Sequence, residues 1–457
     1  MPTWRSRPRR LPATTRPPHR GRRRLPAPSA ARSTRADPQD RTRRSVTPDT
    51  AAAAISLLSA EAVRERAHRL LAIGLEGGLP HFRIHMGRLA AVADLVADTT
   101  RRAYPTLEVP FHARWRHFVV AGEDRWAALA GSVRWRDAAE RARAAFDLAV
   151  TSVLLDAGAG PRWSYRDPQT GARVARSEGL ALASLAMFAA GAFSADARSP
   201  LRADAAALQG VSGEVLGRHF QAGPGNPLLG AEGRAGLLRR LGAAVAAKPQ
   251  VFARVDAPRP GGLYDHLASL AEGRTIAAGT ILRELLVHLG PIWPSRLELG
   301  GIALGDCWRH PALVTPDPTS GLVPLHKLSQ WLAYSLIEPL QEAGIAVAHV
   351  DGLTGLAEYR NGGLLVDGGV LVPRDPGEAE REHDVGSPPV VEWRALTVAL
   401  LDRLAPLVRA RLGKSADEFP LARVLQGGTW TAGRMLARTR RPDGAPPIRV
   451  ASDGTVF

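Results

Sequence analysis

The sequence predicts a mainly α-helical globule with a few short strands. Three observations carry this. From about residue 50, apolar residues recur at helical spacing, as in AAAAISLLSAEAVRERAHRLLAIG. Alternation of β-branched residues, the mark of half-buried strands, is scarce. Clusters of glycine, proline and charge divide the chain into helix-sized blocks.

The first block, residues 50–74, ends at Gly74, a residue type suited to a helix C-cap. Further helical segments are expected near 86–103, 134–156, 178–192, 201–219, 231–246, 278–289, 325–343, 391–412 and 416–426. Short strands are expected near 364–373, where LLVDGGVLV could pair, and at IRVASDGTVF, residues 448–457. The stretches 157–173, 220–230, 254–262, 290–320 and 372–389 read as loops. None is long and bland enough for an interdomain linker, and there is no repeat of fixed period. Residues 49–457 therefore read as a single mainly helical catalytic domain, with room for two lobes.

The net charge of +16 over 457 residues is misleading. Residues 1–50 hold 14 arginines against 3 aspartates, so the remainder carries only +5. Residues 1–48 read as a disordered Arg/Pro-rich tail, with too few large apolar residues to offset the entropy of ordering. RSRPRR and RGRRRL suit a nucleic-acid-binding arm, a transit peptide or a dispensable extension. The frequent prolines oppose the amphipathic helix of a transit peptide. Nucleic acid is expected as a partner only through this tail. The single cysteine, Cys307, excludes an intramolecular disulfide and fits cytoplasmic residence. No apolar run reaches the length of a membrane span.

Several chemistries are set aside. His81 and His85 lie four apart and His112 and His117 five apart, but no acid or cysteine completes a ligand set for either pair. They read as surface or hydrogen-bonded histidines, and no metal is expected. The glycine-rich AGPGNPLLG matches neither a phosphate loop nor a dinucleotide fingerprint, so no cofactor is expected. There is no G-x-S-x-G elbow, and Cys307 lacks a cysteine-protease signature.

What remains is a set of polar residues in apolar and aromatic settings. PLHKLSQWLAYSLIEPL reads as an amphipathic helix with Lys327 and Gln330 three apart on one face. A lysine offers a point-charge grip on a phosphate or an acid. The alternative is a helix-start lysine reaching solvent. GPRWSYRDPQTG places Arg162 and Trp163 in a loop, where cation and aromatic suit a flat ligand or simply pack. LGDCWRH supplies Asp306 and Trp308, and QGGTWTAGR supplies Thr429 and Trp430. In LTGLAEYRNGGLLVDGGVL, Glu358, Arg360, Asn361 and Asp367 interrupt an apolar run together with Gly362, Gly363, Gly368 and Gly369. Each glycine costs a helix roughly 1 kcal/mol against alanine. Such glycines suit close approach of the backbone to a ligand.

These motifs, with SEGLALASLAMF, IWPSR and SDGTVF, occur in an order that resembles the uracil-catabolism family of fungi and bacteria, also called the uracil-regulated family. The likeness runs from about residue 50 to the C-terminus. It implies a role in a pyrimidine-degrading pathway that passes through a ribosylurea-type intermediate. A more distant likeness is to queuosine-salvage N-glycosyl hydrolases, whose lysine helix and Asp-Tyr-Arg segment are similar to HKLSQ (326–330) and LTGLAEYR (353–360). That likeness implies a helical fold similar to DNA glycosylases and an acid that helps break an N-ribosyl bond. Here Glu358 stands where those enzymes carry aspartate. The extra methylene shifts the reacting geometry by about 1 Å, a distance that matters for catalysis.

The expectation is an N-ribosyl hydrolase without metal or cofactor, acting on ribosylurea or its 5′-phosphate to release urea. Glu358 is the expected base or oxocarbenium stabiliser, and Arg360 the group that orients it. Lys327 is expected on a ribose phosphate, with Trp163 and Trp308 walling the pocket. Gln330, Arg162, Asp306 and Asn361 complete the expected substrate contacts. Asp367 either holds a ribose hydroxyl or caps a turn. The alternatives are an amidohydrolase or lyase on an acyclic ureido intermediate, and a non-enzymatic helical binding protein. The expected partner is a small nucleoside- or nucleotide-derived molecule.

Overall fold

The structure, a computed structural model, describes residues 48–156, 158–293 and 297–451. Apart from Pro48, the tail lies outside the described residues, as do positions 452–457 of the expected terminal strand.

The principal helices are α1 (Ala60–Leu75), α2 (Leu89–Ala103), α3 (Ala138–Leu154), α4 (Arg176–Ala189), α5 (Ala231–Ala246), α6 (Gly262–Leu270), α7 (Ala278–Leu289), α8 (Lys327–Glu342), α9 (Tyr359–Asp367), α10 (Pro388–Leu412) and α11 (Trp430–Arg440). Among the described residues the strands pair two by two, as with Cys307–Arg309 against Leu322–Pro324. The chain is therefore mainly helical with short strands, as the apolar spacing predicts. Among the described residues no helix is long and apolar enough to cross a membrane.

Local sequence sets the helix ends. The expected helix 50–74 divides, because Ser59 accepts the Ala62 N–H at 3.1 Å and caps α1. Asp137 caps α3 in the same way at 2.7 Å from the Glu140 N–H. α10 starts on Pro388 and Pro389, where a missing N–H costs nothing.

Every residue from Pro389 to Leu401 of α10 is buried, so this helix runs through the core rather than along its surface. Its few polar groups are tied. Glu392 accepts the N–H groups of His81 and Phe82 and meets His310 at 3.1 Å. α10 packs on α1 and α2, α8 on α3 and α7, and α9 on α11.

Three expectations change. Only the end of the expected strand 364–373 is one: Leu364–Asp367 close α9, and Leu371–Pro373 pairs antiparallel with Phe82–Ile84. The reversal uses Gly369 at φ +73°, with the Val370 N–H returning to the Leu365 carbonyl at 2.9 Å. α6 and α11 are helices that the glycines around them concealed. A Cβ at Gly262 would lie 2.3 Å from the Phe252 carbonyl oxygen, and one at Gly428 2.5 Å from that of Val96. These glycines admit neighbouring backbone rather than mark loops.

The same explanation holds inside α9. A Cβ at Gly362 would stand 2.6 Å from the Trp393 indole, so that glycine makes room for α10 and not for a ligand. On the facing helix, a Cβ at Gly433 would stand 2.2 Å from the Arg360 carbonyl oxygen. Gly433→Ala is expected to part α9 from α11 and lower stability by about 1–3 kcal/mol in denaturant unfolding, the usual cost of overpacking.

Candidate functional site

Helix ends converge on one cleft. Asp156 follows α3, while Arg176, Ser177 and Glu178 open α4. Lys327 opens α8, Glu358 and Tyr359 stand at the start of α9, and Trp430 and Arg434 belong to the first turn or two of α11. His112, His117 and Trp331 close the inner part. The outer part is bounded by Arg360 and by Gly444–Pro446, Ile448 and Val450. Asp156, Arg176, Ser177, Lys327 and Tyr359 line both parts, which are therefore continuous. The outer part holds about 340 Å³, within the range of small-molecule sites.

Glu358 is the N-cap of α9. Its two carboxylate oxygens accept the backbone N–H groups of Arg360 at 2.8 Å and Asn361 at 2.6 Å. The side chain is thus held in one orientation, and one lone pair on each oxygen remains. Burial pushes its pKa above the ordinary carboxylate value, opposed by Lys327 and the two N–H groups. Lys327 is shifted down by burial, opposed first by Glu358 and then by Asp156. The ammonium stands 5.6 Å from the Trp331 ring centroid.

Two helices that border the cleft begin in unfavourable backbone geometry. His326, just before Lys327, has φ +46°, and Arg176 has φ +60°. Left-handed conformations in such residues cost of order 1 kcal/mol and concentrate at functional sites. His326 is held by its ring, 3.0 Å from the Leu57 carbonyl oxygen.

A second carboxylate was missed by sequence reasoning. Asp156 pairs at 3.2 Å with the fully buried Arg114, whose Nε donates to Ser152. Burial would raise the Asp156 pKa, but Arg114, His117 and Lys327 outweigh it and hold the group below its ordinary value. The only sequence signal was an acid closing a strong helix just before a glycine loop. His112 and His117, set aside as metal ligands and read as surface or hydrogen-bonded histidines, also face the cleft. His112 meets Gln426 at 3.0 Å and His117 meets Arg114 at 3.2 Å. Burial lowers their pKa values to about 4 and about 3, so both rings are neutral near pH 7. Glu178 lies 3.7 Å from Arg434.

The expected site residues divide. Glu358, Lys327 and Arg360 line the cleft. It is the backbone of Arg360 that orients Glu358; the guanidinium reaches the Gly444 carbonyl at 3.0 Å. Gln330, Asn361, Asp306, Trp308, Trp163, Arg162 and Asp367 are not among the lining residues. Gln330 exchanges hydrogen bonds with the Thr354 N–H and hydroxyl, fixing the loop before Glu358 to α8. Asn361 joins the Leu356 carbonyl to the Thr429 hydroxyl. Asp306 is enclosed by the two terminal guanidinium nitrogens of Arg394 at 2.8 Å, the Trp308 indole at 2.6 Å and the Lys327 N–H at 2.9 Å. Trp163 donates to the Phe220 carbonyl in the core, and Arg162 is exposed. Asp367 closes on Arg441 at 2.9 and 2.6 Å.

Fold and cleft together define a helical protein with a cleft of small-molecule size built from helix termini, two buried carboxylates and a lysine. Residues 56–457 match the family described as "Protein of unknown function (DUF1688)", and the chain belongs to that family. It is 39% identical to Protein urg3 of Schizosaccharomyces pombe over 413 residues, covering 88% of this chain and 98% of that relative. It is 36% identical to Uracil catabolism protein 4 of Lachancea kluyveri over 414 residues, covering 82% and 92%.

Proposed function

We propose that the protein acts in uracil catabolism as an N-ribosyl hydrolase, taking ribosylurea or its 5′-phosphate to urea and the sugar. The name of the Lachancea kluyveri relative, Uracil catabolism protein 4, supports the pathway. The reaction rests on one observation: Glu358 is buried at the cleft, pinned through both oxygens by the start of α9, with Lys327 beside it.

Breaking the bond between C1 and nitrogen leaves positive charge on the ribose ring. A carboxylate fixed beside C1 stabilises that charge without reorganising. It can also take the proton from the attacking water. Water then adds to C1 as the bonding pair passes to the urea nitrogen, which gains a proton.

The cleft's cations favour the phosphorylated substrate. The Arg176 guanidinium and the Lys327 ammonium carry no hydrogen bond or ion pair among the described residues, and both face the lumen. An anion supplied by the substrate satisfies them. Arg176→Ala is expected to raise KM for ribosylurea 5′-phosphate roughly 10- to 100-fold, the loss of one charged hydrogen bond, and to spare turnover of ribosylurea itself. Equal effects on both substrates would remove Arg176 from the phosphate.

The defining experiment incubates the protein with each compound and follows urea and reducing sugar. Release of both products supports the glycosidic step. Ammonia without free sugar would transfer the reading to a ureido amidohydrolase.

A further inference from the structure

Away from the cleft, His266 of α6 and Glu284 and His288 of α7 converge. Glu284 and His288 lie one turn apart on the same face of α7. Nε2 of His266 is 2.8 Å from Glu284 Oε2, and Nε2 of His288 is 3.2 Å from the same oxygen. The rings stand perpendicular, with centroids 5.0 Å apart. We propose that these three side chains form a binding site for a first-row divalent cation, zinc by its ligand set.

The geometry is close to that required. Zinc bonds of about 2.0–2.2 Å in a tetrahedron place neighbouring ligand atoms about 3.3 Å apart. The three ligand atoms here all lie within 4.8 Å of one another, so shifts of less than about 1 Å seat the ion. Two imidazoles and one carboxylate leave a fourth position for water. An ion on Nε2 places the His288 proton on Nδ1, which is buried and has no hydrogen-bond partner among the described residues, so this ligand lacks the outer acceptor that usually fixes a metal-bound ring and its affinity is lowered accordingly.

Two cations lie nearby and moderate the affinity. Arg283 Nε is 3.3 Å from the other Glu284 oxygen but is more than half exposed and free to swing away. Lys248 Nζ donates to the carbonyls of Val287 and His288, which hold it over the end of α7. The consequence of binding follows from the packing. α6 rests on α3, which leads to Asp156, and α7 rests on α8, which begins at Lys327. A cation joining α6 to α7 therefore braces two helices that present cleft residues, while no ligand of the ion lines the cleft.

The test uses the full chain, freed of metal by a chelator and titrated with Zn²⁺ and with Co²⁺. One equivalent of Co²⁺ should give visible ligand-field absorption that Zn²⁺ abolishes, and Zn²⁺ should raise the thermal midpoint. His266→Asn and His288→Asn should each weaken binding by more than about 100-fold, the most that loss of a merely supporting hydrogen bond costs a metal site. His81→Asn should leave it unchanged. Glu284→Gln, which keeps both rings and the side-chain shape, provides a variant that folds should the histidine variants not. Absence of Co²⁺ absorption, or binding of equal affinity in the ligand variants, overturns the site whatever the cleft catalyses.

Discussion

Glu358→Gln is expected to reduce turnover of ribosylurea 5′-phosphate by about 10³-fold or more, the scale on which loss of a preorganised electrostatic partner is felt. The fold should survive. Glutamine keeps one oxygen for the cap and gives up the other, a loss of about 1 kcal/mol. It also removes a buried charge. Because burial holds the Glu358 pKa above 4.5, the native state binds this proton more tightly than the unfolded chain does. The carboxyl's contribution to stability is thus full below 4.5 and is lost as pH rises through the folded value. At neutral pH the amide is relieved of that loss, which opposes the loss at the cap. The parent's activity should show the opposite dependence, falling as acid protonates Glu358, with a limb above pH 4.5. Turnover within tenfold of the parent in a folded variant would end the role assigned to this residue.

Arg394→Met is expected to have the largest effect on stability. It leaves the Asp306 carboxylate buried without its bidentate partner, and breaking a buried pair from one side costs about 3–5 kcal/mol. Arg394 and the other hydrogen bonds hold the Asp306 pKa down against the opposing effect of burial. The same carboxylate fixes the Lys327 N–H, so Lys327 should lose its place and activity should fall with stability. Denaturant unfolding of Arg394→Met, Asp306→Leu and the double variant measures the coupling. The double variant should recover part of the loss, since apolar replacement of a whole pair is often tolerated. If Asp306 instead contacted substrate, Asp306→Asn would raise KM and leave unfolding unchanged.

How far each feature was legible depends on how far its cause reached along the chain. Helical spacing placed α2, α3, α5, α7, α8 and α10, because each buries a continuous stripe or cylinder of apolar residues that the sequence displays. Glycine was the recurring source of error. Gly362 read as a ligand approach, yet it clears space for the Trp393 indole, and Gly428 and Gly433, which drew no reading, each clear space for a carbonyl from a distant helix. Strand Leu371–Pro373 was expected, but its partner was not legible, because that partner lies near residue 83.

At the site, sequence by itself brought forward Glu358 and Lys327, because a carboxylate and a rare lysine stand out in apolar surroundings. It also offered Asp306, Gln330 and Asn361 as substrate contacts and Asp367 as a ribose contact or a turn cap. Only the tertiary structure gave these groups protein partners instead. Arg394, Thr354, Thr429 and Arg441 each lie tens of residues away or more, and they absorb the four groups into the frame behind the cleft. Asp156, His117 and Arg176 joined the site for the converse reason. Nothing near them in the chain is unusual, and their proximity to Glu358 and Lys327 exists only once separate helix ends have been packed against one another.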